Sequence, residues 1–95
     1  MYAVIFKAKT GKLDSNYAHM AKRMRQLAID KYGCCDFIST TEGNLEIAIS
    51  YWHDLKQIKK WKQDPEHLTA QDLGKSTWYK SYTVQVVEII REYRT

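Results

Sequence analysis

The chain has little of what builds linkers, covalent cross-links or membrane spans. It contains one proline and four glycines among 95 residues, which favours compact regular structure over flexible linkers. Its two cysteines, Cys34 and Cys35, are sequence neighbours, so they form no disulfide framework and lack the spacing of a metal site. The first apolar run, Tyr2 to Phe6, is too short for a signal peptide, and no segment approaches membrane-spanning length. We therefore expect a single domain over residues 1–95, in the cytoplasm, with reduced cysteines.

Several signatures of catalysis and binding are also missing. There is no Ser-His-Asp order, no glycine-rich phosphate loop and no acidic pair of the glycosidase kind. Because the three histidines are scattered and there is no Cys-x-x-Cys motif, we expect no metal site. The net charge of +4 raises nucleic acid as a partner, but the one basic cluster, Lys56 to Lys62, has the spacing of a solvated helix face. We expect no nucleic-acid partner and no membrane partner.

What is present is a regular alternation of strand and helix patterns. The first helix is the clearest, because apolar residues recur at helical spacing from Tyr17 to Ala28 and polar residues fill the other face. Asp54 and Gln57 form a capping-box pattern before a second helix. The predicted elements are, in order, a strand that opens with Tyr2 to Phe6 and ends at Gly11, a helix from Asp14 or Ser15 to Gly33, strands Cys34–Thr41 and Leu45–Trp52, short helices starting at Asp54 and Asp64, and a last strand Tyr79–Tyr93. This β-α-β-β-α-β order predicts an α+β, ferredoxin-like fold, with a four-stranded antiparallel sheet and its helices on one face.

The last strand indicates a partner. It is apolar on both faces, with Val84, Val86 and Ile90 on one and Val87 and Ile89 on the other. Helices cover only one face of such a sheet, and burial of the second recovers roughly 25 cal/mol per Å² of apolar area. A second copy of the chain is the simplest cover, so we expect a homodimer through the sheet face, with the two sheets forming a dimeric α/β barrel.

The segment from Ser50 to Gly74 is unusually rich in large amphipathic side chains. It holds Trp52 and Trp61, two histidines, and Gln71. Large aromatic surface gains most from burial, so these residues line either a core or a pocket for a flat apolar ligand. The pattern leaves both interpretations open.

The same segment carries a family resemblance. The chain resembles the antibiotic biosynthesis monooxygenase (ABM) domain family, and within it the YqjZ-like branch. The residues that carry the resemblance are Ser50-Tyr51-Trp52, Ile58, Trp61-Lys62, Glu66-His67-Leu68, Ala70-Gln71, Gly74 and Trp78-Tyr79. The resemblance implies a cofactor-free monooxygenase acting on an aromatic or quinol-like small molecule. The alternatives are a non-catalytic binding or stress-associated module for an apolar ligand, and a haem-binding protein without haem degradation.

Haem degradation itself is disfavoured by the same comparison. In haem-degrading relatives a strand-1 Asn, a helix Trp and a His further along carry the chemistry. Trp61 matches the Trp, but Gln71 stands at the His position, and the Asn region reads Phe6-Lys7-Ala8. An amide is a poor iron ligand compared with imidazole.

The resemblance also suggests site residues. His67 is the candidate general base, because histidine titrates near neutral pH, and Trp61 is the candidate wall against which a flat substrate stacks. Gln71 lies one helical turn after His67, on the same face. Tyr51, Trp52, Trp78 and Tyr79 are candidates for ligand binding, and the alternative for the tyrosines and Trp52 is the dimer seam. His19 and His53 are expected on a solvated face and in a turn, respectively.

Overall fold

The computed structural model describes all residues, 1–95. Its elements are β1 (Tyr2–Thr10), α1 (Ser15–Asp30), β2 (Asp36–Glu42), β3 (Leu45–Trp52), α2 (Leu55–Lys62), α3 (Pro65–Leu73), a π-helical turn (Gly74–Trp78) and β4 (Tyr79–Glu88). The strands form one antiparallel sheet in the order β2-β3-β1-β4. The predicted ferredoxin-like fold is confirmed. No helix has the length and apolar character needed to cross a membrane.

Two strand boundaries were predicted wrongly. The second strand begins at Asp36 rather than Cys34, because the Cys34 N–H still donates to the Ala28 carbonyl at the end of α1. The last strand ends at Glu88 rather than Tyr93, because Glu88 pairs with Tyr2, where β1 begins. Beyond that point the Ile89 N–H still donates to the Met1 carbonyl, at the start of the chain, and Ile90 is 90% exposed.

The predicted helix ends also need correction. Asp14 caps α1 through the Asn16 N–H, and the helix ends at Asp30, with Gly33 in the following turn at φ +82°. The predicted capping box before α2 is half formed. Asp54 accepts the Lys56 N–H, whereas the Gln57 side chain lies against Gly33 and leaves its Oε1 buried without a partner.

The core lies between the helices and one face of the sheet, the helix face. Trp52 on β3 and Trp61 on α2 pack with ring centroids 5.1 Å apart, and they are 0% and 6% exposed. Both indole N–H groups are satisfied, since Trp52 Nε1 donates to Ser50 Oγ at 2.8 Å and Trp61 Nε1 to the Met24 carbonyl at 3.1 Å. The remaining core residues are Val4, Met24, Leu27, Ala28, Cys34 and Ile58.

The opposite face of the sheet, the outer face, carries no helix. The strand registers align Ile38, Ile49 and Ile5 across β2, β3 and β1 in one row of this face. The next row holds Tyr51, Ala3 and Val87. Ile38 and Val87 are 52% and 36% exposed, so the middle of the outer face is apolar in the single chain. Polar residues continue the two rows at the edge strands, where Gln85 pairs with Ile5 and Asp36 pairs with Tyr51.

A polar cluster ties α1 to the start of α3. Asp64 is buried, caps α3 through the Glu66 N–H, and accepts the Tyr32 hydroxyl at 2.6 Å. Lys31 Nζ lies 3.7 Å from the same carboxylate. The hydrogen bond from Tyr32 is the largest influence holding the pKa of Asp64 below its ordinary value, and the Glu66 N–H and Lys31 add to it.

Tyr32→Phe should therefore destabilise the protein more at pH 7 than at pH 3. A carboxylate whose folded-state pKa is lowered contributes stability above its unfolded pKa, about 3.9, and loses it as the pH falls through the folded value. Urea unfolding of both proteins at the two pH values measures this. Tyr93→Phe, at an exposed position after β4, is the matched control. An equal stability loss for Tyr32→Phe at both pH values would contradict the role given to the Asp64 carboxylate.

Candidate functional site

A cavity of about 460 Å³ lies between the helix face of the sheet and the helices. Its volume falls within the range of small-molecule sites, and it is predominantly apolar, as such sites are. Small residues keep the space open, namely Ala21 on α1, Ala48 on β3, Ala70 on α3 and Gly74. A Cβ at Gly74 would lie 2.8 Å from the ring of Tyr79, so glycine is needed there for Tyr79 to keep its place. The aromatic lining consists of Phe6, Tyr17, Phe37, Trp61, Trp78, Tyr79 and Tyr82.

Trp61 forms one end of the cavity and belongs to the core as well. Its ring meets His67 edge-on at a centroid distance of 4.4 Å and Phe37 edge-on at 6.2 Å. The bond from its Nε1 to the Met24 carbonyl fixes the plane of the indole. The two interpretations of Trp61, core and pocket wall, are therefore compatible, because different parts of one ring system serve each.

His67 and Gln71 meet beside this indole. Gln71 Nε2 lies 3.0 Å from His67 Nδ1 and 3.5 Å from the Lys62 carbonyl oxygen. The pKa of His67 is lowered to about 4, chiefly by burial and to a smaller extent by the Lys62 charge, while a contact of the ring with its own backbone and the charge of Asp64 oppose the shift. At pH 7 the imidazole is therefore neutral, and it is a weaker base than an ordinary histidine.

The other end of the cavity is formed by hydroxyl groups. The Tyr79 hydroxyl donates to the Tyr17 hydroxyl at 3.3 Å, and burial raises the pKa of both tyrosines. The charge of Glu46, a cavity-lining carboxylate, raises both pKa values further. Both phenols are thus protonated at neutral pH. Trp78 beside them donates its Nε1 to Asp14 Oδ1 at 3.1 Å.

The structure brings together most of the predicted site residues, but not all of them. His67, Gln71, Trp61, Trp78 and Tyr79 line one cavity. Trp52 lies beneath Trp61 and does not line the cavity. Tyr51 is on the outer face, paired with Ala3. The exposed residues His19 and His53 lie outside the cavity.

Tyr17 and Glu46 line the cavity and were not among the predicted site residues. Tyr17 is one of the regularly spaced apolar residues of α1, and this spacing predicts a core position. Glu46 is a charged residue in an alternating strand pattern, and such a residue is expected to face solvent. The sequence feature that could have indicated Glu46 as a cavity residue is the pair of small residues Ala48 and Ser50, which lie on the same face of the sheet as Glu46. Nowhere in the structure do three or more His, Cys, Asp or Glu residues gather in a way that could hold a metal ion.

Comparison with known proteins identifies one similar sequence and several structures with the same fold. The chain is 37% identical over 92 residues to the uncharacterised protein YqjZ of Bacillus subtilis, covering 96% of this chain and 81% of that protein. No family model matches the chain.

Three solved structures share the fold. Rv0793 from Mycobacterium tuberculosis aligns with a TM-score of 0.83 at 14% identity, covering 98% of each chain. SnoaB from Streptomyces nogalater, a cofactor-independent oxygenase, aligns with a TM-score of 0.78 at 10% identity, covering 96% of this chain and 94% of SnoaB. A Nitrosomonas europaea protein provisionally described as an antibiotic biosynthesis monooxygenase aligns with a TM-score of 0.74 at 14% identity. The alignment covers 96% of this chain and 100% of that protein. The chain therefore belongs to the same family as YqjZ of Bacillus subtilis, and it has the fold of solved structures described as antibiotic biosynthesis monooxygenases.

Proposed function

We propose that this protein oxygenates a flat, electron-rich aromatic compound of the phenol or quinol class, without a cofactor. The observation that carries the proposal is the cavity of about 460 Å³, which is lined mainly by apolar residues, seven of them aromatic, together with a smaller number of polar groups. A flat ring system gains affinity by stacking on such walls. The likeness in fold to SnoaB, a cofactor-independent oxygenase, adds support.

The chemistry needs no external electron donor. A phenolate transfers an electron to dioxygen, the two radicals combine at a ring carbon, and the resulting peroxide loses water. One oxygen atom becomes the new ring carbonyl, and the other leaves as water with hydrogens from the ring carbon and the original hydroxyl. The substrate thus supplies all four electrons that dioxygen accepts. A cavity that excludes water protects the radical pair from side reactions.

The cavity constrains which hydroxyl can ionise. Trp61 serves as the stacking wall, and His67 with Gln71 faces the substrate oxygen. Because the pKa of His67 is lowered to about 4, it is too weak a base to take a proton from an ordinary phenol, so the substrate hydroxyl has to ionise by itself. The proposed substrate class therefore consists of compounds whose hydroxyl or enol ionises near neutral pH. Three cationic residues, Lys22, Arg25 and Lys62, line the cavity against one carboxylate, Glu46, and this balance favours an anionic form.

Oxygen uptake with a panel of phenols, quinols and anthrones tests the function. With an active substrate we expect uptake above the rate in buffer, one dioxygen per quinone formed, and no hydrogen peroxide. Ala48→Leu, which fills the floor of the cavity, should abolish the uptake. Gln26→Ala, on the exposed face of α1, should not change it. Binding of such ligands with no uptake across the panel would favour the second candidate function, a binding module, to which the weak basicity of His67 also points.

The proposed assembly is a homodimer through the outer face. The row of Ile38, Ile49 and Ile5 would remain in water in a single chain, and exposed apolar surface of this extent marks an interaction site. The cavity lies on the helix face, so each protomer carries its own complete site.

We expect that haem is not degraded. The amide nitrogen of Gln71 is engaged with His67 and with the Lys62 carbonyl, and an amide is in any case a poor iron ligand. In a mixture of haem, reductant, dioxygen and catalase, the Soret band should fade no faster with this protein than with serum albumin. Protein-dependent formation of an open tetrapyrrole would contradict the prediction.

A further inference from the structure

The hydrogen bonds around Gln71 determine which nitrogen of His67 carries the proton. The Gln71 amide nitrogen faces two groups, the Lys62 carbonyl oxygen at 3.5 Å and His67 Nδ1 at 3.0 Å. A carbonyl oxygen only accepts, so the amide end that faces it is the NH₂ group. The same NH₂ group then donates its other hydrogen to Nδ1. In a neutral imidazole one nitrogen accepts and the other donates, so the proton is on Nε2.

The His67 ring makes one hydrogen bond to another residue, the one between Nδ1 and Gln71, and its other polar contact is with its own backbone. No other residue accepts from Nε2–H, and this nitrogen is not among the fully buried polar atoms without a partner. His67 lines the cavity, and its ring stands edge-on to Trp61 at 4.4 Å. The donor that remains free is therefore beside the wall on which a flat ligand would stack.

We propose that Gln71 holds His67 in the Nε2–H tautomer, so that His67 serves as a hydrogen-bond donor to a carbonyl or oxyanion oxygen of an aromatic ligand and not as a base. Gln71 is thereby a positioning residue, and His67 determines specificity for ligands that present an acceptor oxygen at this end of the cavity. Of the proposed function, the inference rests only on the cavity binding a flat aromatic ligand, since oxygenation is not needed for it.

The charges around His67 agree with a donor role. Lys62 on α2 and the cavity-lining Lys22 and Arg25 on α1 favour an electron-rich ligand oxygen, whereas Asp64 at the start of α3 is occupied by Tyr32 and the Glu66 N–H. The lowered pKa of His67 keeps the ring neutral at pH 7, so the choice of tautomer decides what the cavity offers a ligand.

The tautomer is measured without any ligand. In a long-range proton–nitrogen NMR spectrum of the protein at pH 8.5, His67 Nδ1 should show the shift of an unprotonated nitrogen and Nε2 that of a protonated one. Gln71→Glu places a carboxylate opposite Nδ1, which then becomes the protonated nitrogen, so the two shifts should exchange. Gln71→Met removes the donor without adding an acceptor and should give a mixture of tautomers. A protonated Nδ1 in the unmodified protein would overturn the proposal.

Three isosteric tricyclic probes test the consequence for binding. Fluorenone offers an acceptor oxygen, carbazole offers an N–H donor, and fluorene offers neither. By NMR titration at pH 8.5, fluorenone should bind more tightly than fluorene by about three- to tenfold, as expected of one net hydrogen bond, and carbazole should show no such gain. Gln71→Glu should remove the fluorenone advantage and confer one on carbazole. His67→Phe should remove the fluorenone advantage without helping carbazole.

The outcomes separate the inference from the proposed function. An unchanged preference for fluorenone in Gln71→Glu, with the tautomer exchanged, would overturn the ligand role of His67. If none of the three probes binds, the cavity is not an aromatic site; the ligand role of His67 and the proposed function then fail, while the NMR spectrum still decides the tautomer. Binding of fluorenone and the tautomer exchange, without oxygen uptake on any substrate, would support the inference and count against oxygenation.

Discussion

Ile49→Lys should convert the proposed dimer into monomer, weakening association by more than about a hundredfold, since an unpaired buried charge costs several kcal/mol. Ile49 is the middle residue of the isoleucine row on the outer face, between Ile5 and Ile38. A partner sheet packed on that row would surround the ammonium group with apolar side chains from both copies. Light scattering after gel filtration at micromolar protein concentration measures the molar mass of the species in solution.

Gln26→Lys provides the control for added charge. It introduces the same side chain on the exposed polar face of α1, where no association is proposed. Its mass should match that of the unmodified protein. A monomeric mass for the unmodified protein, or an unchanged dimer in Ile49→Lys, would contradict association through the outer face.

Trp52→Ala should lower the free energy of unfolding by about 3–5 kcal/mol, the usual range for removing a large aromatic side chain from a core. Trp52 is 0% exposed, packs on Trp61, and satisfies the Ser50 hydroxyl. Its loss would leave a large hole and a buried hydroxyl without its donor. For a domain of this size, such a loss is a large share of the total stability. Urea unfolding followed by far-ultraviolet circular dichroism measures it.

Ser50→Ala separates the two contributions to that loss. It keeps the ring and leaves the indole N–H without its acceptor, at a cost of about 1–3 kcal/mol. The Trp52→Ala loss should therefore clearly exceed the Ser50→Ala loss. If Trp52→Ala cost less than Ser50→Ala, Trp52 would not hold the core position that its burial indicates.

Local patterns in the sequence were enough to predict the fold. The helical spacing from Tyr17 to Ala28 and the Gly43 turn between β2 and β3 are local signals, and both are confirmed. The end of β4 cannot be predicted from the residues around it, because it depends on where the neighbouring strand β1 begins. The β-branched residues Ile89 and Ile90 extend the strand pattern, but beyond the Tyr2–Glu88 pair only one backbone hydrogen bond follows, from the Ile89 N–H to the Met1 carbonyl.

The candidate site was predicted where its residues are close in sequence. His67 and Gln71 share a face of α3 because they are one turn apart, and Trp61 precedes them directly. Tyr17 approaches Tyr79 across the fold, 62 positions apart in the chain, and no spacing rule predicts such a pair. Tyr51 and Trp52 were grouped as ligand-binding candidates, although neighbours in a strand face opposite sides of the sheet.

The alternation along β1 has a consequence for how this lineage can diverge. Val4 and Phe6 face the cavity, while Ala3 and Ile5 face outward. Substitutions at even positions would change the proposed ligand site without touching the surface proposed for association, and substitutions at odd positions would do the reverse. Selection on the proposed ligand site and selection on the proposed assembly would therefore act on interleaved but separate sets of codons, so relatives could retain one trait while the other drifts.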